Sequence, residues 1–174
     1  MITFKEFRAM LLETPDMTDE NRRGESFPMA IHGIMKKHAD ANDMGHGFFH
    51  QDDDDEHHFY HMKNGKIDAL STVNSETMVH GTFYKEAGVD SSVPLQNFSN
   101  ALNHFGRIQS DSTHTKGSKH FWMSLHDKIP GIKIYVSDEE SGIATEHDKD
   151  SLKKNADSIW GSSNKILHAS LPDH

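Results

Sequence analysis

Phe59-Tyr-His-Met-Lys63-Asn64-Gly65-Lys66-Ile67-Asp-Ala-Leu-Ser-Thr-Val-Asn74-Ser-Glu76-Thr77-Met-Val-His80-Gly-Thr82-Phe-Tyr84 is the stretch on which the fold turns. Asn64-Gly65 between two apolar runs is a strong hairpin signal, because both residues tolerate the positive φ that a two-residue turn demands. Phe59–Lys63 is therefore expected to pair antiparallel with Ile67–Asn74. A second turn near Asn74-Ser75-Glu76 then introduces a third strand, Thr77–Tyr84, and completes a meander.

Working upstream, Phe48 to Met62 carries five consecutive acids, Asp52–Glu56, between apolar segments, which reads as a strand, an acidic turn and another strand. Gly45 and Gly47 end a helix expected over Pro28–Ala41, where Ile31, Ile34, Met35 and His38 share a face. Thr14–Glu25 is a polar linker containing Pro15 and Gly24. Residues 1–13 place Phe4, Phe7, Met10 and Leu11 at helical spacing, with Thr3 as N-cap, and predict a short amphipathic helix. Downstream, a helix is expected at Val93–Phe105, a short strand at Arg107–Gln109 and a helix at Thr115–Lys128 with Phe121, Trp122 and Leu125 as its apolar stripe. Gly131–Val136 is apolar and β-branched, Ser137–Asp157 is highly charged, and Lys165–Ala169 reads as a last strand. The sum is an α+β (mixed α/β) chain in which an antiparallel meander leads into strand, helix, strand, helix, strand. Residues 1–25 form a helix and linker, and 26–174 a single domain.

Composition narrows the function. Lys plus Arg is 18 against 27 for Asp plus Glu, and the net charge of −9 argues against a surface that coats nucleic acid. With no cysteine, thiolate zinc sites and cysteine nucleophiles are excluded. No window approaches a membrane span and the charged N-terminus has no signal-peptide core, so the chain reads as soluble and non-secreted. The 15 histidines are the anomaly: their protonation would carry the charge through zero, in keeping with a pI of 5.9.

The segment Gly106-Arg-Ile-Gln-Ser110-Asp111, continuing through Thr115-Lys-Gly117-Ser118-Lys-His-Phe121-Trp122-Met-Ser-Leu125, resembles the pattern found in the C-terminal half of tailed-phage proteins of the GNAT (N-acetyltransferase-like) fold. Asp157-Ser-Ile-Trp160-Gly161 and Lys165–Ala169 are similar to the final turn and strand of those proteins, so the resemblance covers about residues 48 to 170. Met1 to Phe7 also resembles a common opening of phage proteins, and Leu11-Leu12-Glu13 a head-protein cleavage signal.

This resemblance implies an acetyl-CoA-dependent acyltransferase, or a degenerate binding or virion protein. It also implies residence in the host cytoplasm or virion interior, and an acceptor substrate or a phage or host protein as partner. In the family, backbone N–H groups of the loop after the fourth strand hold the cofactor pyrophosphate. The matching stretch is Tyr84-Lys85-Glu-Ala-Gly88-Val89-Asp90. Lys85 and Gly88 keep the pattern, whereas Asp90 replaces a small residue. A carboxylate about 5 Å from a phosphate charge costs on the order of 3 kcal/mol at an effective dielectric near 20, so weak acetyl-CoA binding is expected. Glu76 and His80 are the base candidates, near the fourth and fifth strands.

Two other constellations compete. His80-Gly-Thr82 and His168-Ala-Ser170 are similar to the paired H-x-[T/S] motifs of the 2H phosphoesterases, though composition alone would produce that many matches. Both histidines would have to face one cleft. His50, Asp52–Asp55, Glu56, His57, His58 and His61 offer nitrogen and oxygen ligands for zinc or another divalent ion. A strand keeps His57 and His61 about 13 Å apart, so a solvated acidic loop is expected and no metal site. No P-loop, H-E-x-x-H, G-x-S-x-G or EF-hand pattern occurs.

Overall fold

The computed structural model describes residues 26–111, 116–162 and 164–172. The helix and cleavage signal expected within residues 1–13 lie outside them. The described chain is mixed α+β: α1 (Ser26–Lys36), β1 (Asn42–Gly45), β2 (Phe48–Asp53), β3 (Glu56–Lys63), β4 (Lys66–Asn74), β5 (Val79–Lys85), α2 (Ser92–Phe105), β6 (Arg107–Ser110), α3 (Lys116–Lys128), β7 (Lys133–Asp138), β8 (Ala144–His147), α4 (Lys149–Lys154), α5 (Ala156–Trp160) and β9 (Lys165–Ser170). The contacts gather into two compact units. The described parts are 26–72 with 82–97, and 73–81 with 98–172.

In the first unit the strands follow the order β1-β2-β3-β4-β5. The Asn64-Gly65 turn forms as expected, with φ of 54° and 74°. Asp54-Asp55 makes the other tight turn, since Asp53 pairs with Glu56. The acidic stretch forms the expected turn between two strands, with Asp54, Asp55 and Glu56 exposed, but β3 begins three residues before the expected Phe59, and His57 and His58 lie buried within it. The expected helix Pro28–Ala41 stops at Lys36, and His38–Asp40 forms a 3₁₀ turn. Ile34, Tyr60, Ile67, Leu70 and Tyr84 form the core here, flanked by Ile31 and Met35 of α1. His38 Nδ1 lies 2.8 Å from the Tyr60 hydroxyl, which burial pushes up to about 12. A neutral hydroxyl therefore ties the 3₁₀ turn to the sheet.

In the second unit the order is β5-β6-β9-β7-β8. β5 and β6 run parallel, and every other pair whose register is given is antiparallel. The strand expected to begin at Thr77 starts at Val79, because Asn74 Oδ1 accepts from the Glu76 and Thr77 amides and Met78 N donates to Asn74 O. Ile108, Ile134, Val136, Leu167 and Ala169 fill one face of this sheet, and Trp122 and Leu125 of α3 are buried, as their spacing predicts. The charged stretch Ser137–Asp157 also folds. It supplies β8 and α4, the latter capped by Asp148, whose carboxylate accepts from Ser151 N at 2.7 Å.

Candidate functional site

The loop that joins β5 to α2 is where the GNAT resemblance would place a cofactor phosphate. Gly88 has φ +81° and gives the loop its turn, while Lys85 donates to the Val89 carbonyl at 3.1 Å. Tyr84 is buried, and burial together with Glu86 and Asp68 pushes its hydroxyl up to about 12. A helix N-terminus attracts anions through its free amides. Here Asp90 takes them: its side chain accepts from Ser92 N at 2.8 Å and its carbonyl accepts from Val93 N at 3.1 Å. The next residue, Pro94, has no N–H to offer. The anion-binding position is therefore occupied by the chain's own carboxylate, with a full negative charge added to it.

The two base candidates lie in the second unit and meet different surroundings. Glu76 is exposed in the β4–β5 turn. His80 is buried on β5 opposite Ser110, with the Phe98 ring edge-on at 5.4 Å and the Phe121 ring stacked at 6.4 Å. Burial pulls its imidazole down to about 4. It is neutral at pH 7 and, with so low a value, a weak proton acceptor.

His80 and His168 are not brought together. Partners across a strand pair share a face, so His80 lies with Ser110 on the face that carries Ile108. His168 lies with Gln109 and Tyr135 on the other face. The sheet stands between the two imidazoles, and the single cleft that paired catalytic histidines require is absent from this arrangement. His168 Nε2 instead sits 2.7 Å from Ser137 Oγ, and burial and the Arg107 charge hold its pKa below the usual value. The Thr82 side chain lies outside the described side chains.

The histidine and acid cluster of the first unit is organised across β2 and β3. The His50 and His57 rings stack at 5.2 Å, with Nε2 of the first 2.9 Å from Nδ1 of the second, and His50 also stacks on Phe59. His57 faces Asp52 at 3.4 Å, His61 meets Asp68 at 2.6 Å, and His58 is buried enough that its pKa falls despite Glu56 and Asp53. Lys37 pairs with Asp53 at 2.5 Å and lowers that carboxyl. His50 and His57 each offer a ring nitrogen of the kind that binds a divalent ion.

Sequence reasoning missed Arg107, Lys133 and Tyr135, which share the face of His168. Only the placement of β9 between β6 and β7 unites them, and no local pattern reports it. No family model matches the chain, and neither a curated protein nor a solved structure matches it.

Proposed function

We propose that this chain is a GNAT-like protein of the tailed-phage type that binds a partner and does not transfer an acyl group. Asp90 carries this reading: as the cap of α2 it fills with a carboxylate the position that an acyltransferase leaves open for pyrophosphate. The order of elements supports the fold half. An antiparallel meander, a crossover helix, a short parallel strand, a helix and returning strands follow one another as the resemblance implies.

The base candidates support the non-catalytic half, since Glu76 projects from an exposed turn and His80 is walled in by aromatic rings. On this reading the partner is a phage or host protein, met in the host cytoplasm or inside the virion. Among the described residues no helix is long and apolar enough to cross a membrane.

Calorimetric titration with acetyl-CoA tests the proposal. The natural chain is expected to give no saturable heat up to about 1 mM, and Asp90→Gly to bind more tightly than it does. A Kd below about 100 μM for the natural chain, or turnover of acetyl-CoA with an amine acceptor, would overturn it.

A further inference from the structure

We propose that the second unit carries a pocket for a small phosphate monoester on the sheet face opposite its core. The register builds it. Arg107, Ser170 and Lys133 stand side by side on β6, β9 and β7, and one row along stand Gln109, His168 and Tyr135. Neighbouring strands lie about 4.8 Å apart, so the two cations flank Ser170 at a span of about 10 Å that both long side chains can bridge. A cavity of about 400 Å³ opens over this surface, lined by Phe105, Arg107, Tyr135, Ala144, His168 and Ser170 among others. That volume suits a single ring carrying a charged group.

The groups left to bind are nearly all donors. Among the described residues Arg107 and Lys133 have no carboxylate partner, although the chain carries an excess of acids. Neither the Ser170 nor the Tyr135 hydroxyl has a hydrogen-bond partner among the described residues. His168 donates through Nε2 to Ser137 Oγ, whose own hydrogen goes to the Ile166 carbonyl, so its Nδ1 is the one acceptor among them. A guanidinium and two hydroxyls line one concavity, with Lys133 on the neighbouring strand beside Ser170, and they match the three acceptor oxygens of a phosphate monoester better than the two of a carboxylate. Phe105, Ala144 and the Tyr135 ring provide an apolar wall for the esterified group. Glu146, opposite Tyr135, is an acid on this face and stands two strands beyond His168, at the far side from Arg107.

NMR titration of the full chain with phenyl phosphate, inorganic phosphate and benzoate tests the assignment. Phenyl phosphate is expected to produce saturable shifts at Arg107, Tyr135, His168 and Ser170 and to bind most tightly of the three. Arg107→Gln and Lys133→Gln, both at exposed positions, should each weaken it by about tenfold, and Lys63→Gln in the first unit should not. Near-UV circular dichroism verifies that the variants stay folded. Absence of saturable shifts at these residues, affinity unchanged by Arg107→Gln, or benzoate or inorganic phosphate binding as tightly as phenyl phosphate would each overturn the proposal.

Discussion

Acidification should destabilise the second unit through His80, and the size of the effect follows from its burial between Phe98 and Phe121. Its pKa is about 4 in the folded chain against an ordinary 6.5. A depressed imidazole means that the unfolded state binds the proton more readily, so stability rises with pH between those two values and is lost as pH falls through the window. Each unit of difference corresponds to about 1.4 kcal/mol, which makes the full effect about 3 kcal/mol at pH 4 and about 2 kcal/mol by pH 5. Urea unfolding followed by tryptophan fluorescence reads this unit directly, since Trp122 and Trp160 both belong to it. His58 and His168 are also depressed by burial and contribute in the same direction. The decisive quantity is therefore the difference between the natural chain and His80→Leu, which should lose about 2 kcal/mol less between pH 7 and pH 5. Equal losses in the two proteins, or an NMR titration of His80 with a midpoint at or above 6, would refute the reasoning.

Trp122→Ala should cost about 3–5 kcal/mol in urea unfolding, because its side chain is almost wholly buried against Phe98. Asp90→Ala should lower stability by about 1 kcal/mol through loss of the α2 cap, with Asp90→Gly costing only a few tenths, as thermal unfolding would record. Gly65→Val places a β-branched residue at φ +74° and should cost about 2 kcal/mol or more by the same measurement, with the β3–β4 amides losing hydrogen-exchange protection first.

Local chemistry was the legible part of this chain. Asn64-Gly65 declared its hairpin, and the Phe121, Trp122 and Leu125 stripe declared a buried helix face, because turns and amphipathic helices are written in neighbouring residues. The charged stretch 137–157 concealed structure for a physical reason: Leu152 and Ala156, with Ile159 just beyond, point inward at helical spacing while lysines and acids cover the outside. Asp148 before Lys149 was a readable cap signal that the charge density masked. His57 and His58 misled in the opposite direction, since their acidic neighbours suggested solvent where cross-strand packing buries them. In the sequence Asp90 stands out as a departure from a phosphate loop, although an aspartate two residues before a helix is also a cap. The Arg107, Ser170 and Lys133 row was illegible throughout, because it depends on a late strand inserting between two earlier ones.

The most direct measurement is an amide NMR titration of the full chain with acetyl-CoA, following the resonances of Lys85 to Gln96. With Ser92 and Val93 N–H already bonded to Asp90 and no N–H at Pro94, those resonances should show no saturable change up to about 1 mM ligand. Saturable shifts centred on Gly88, Val89, Ser92 and Val93 in the natural chain would mean that this helix terminus accepts pyrophosphate after all, and would contradict the account.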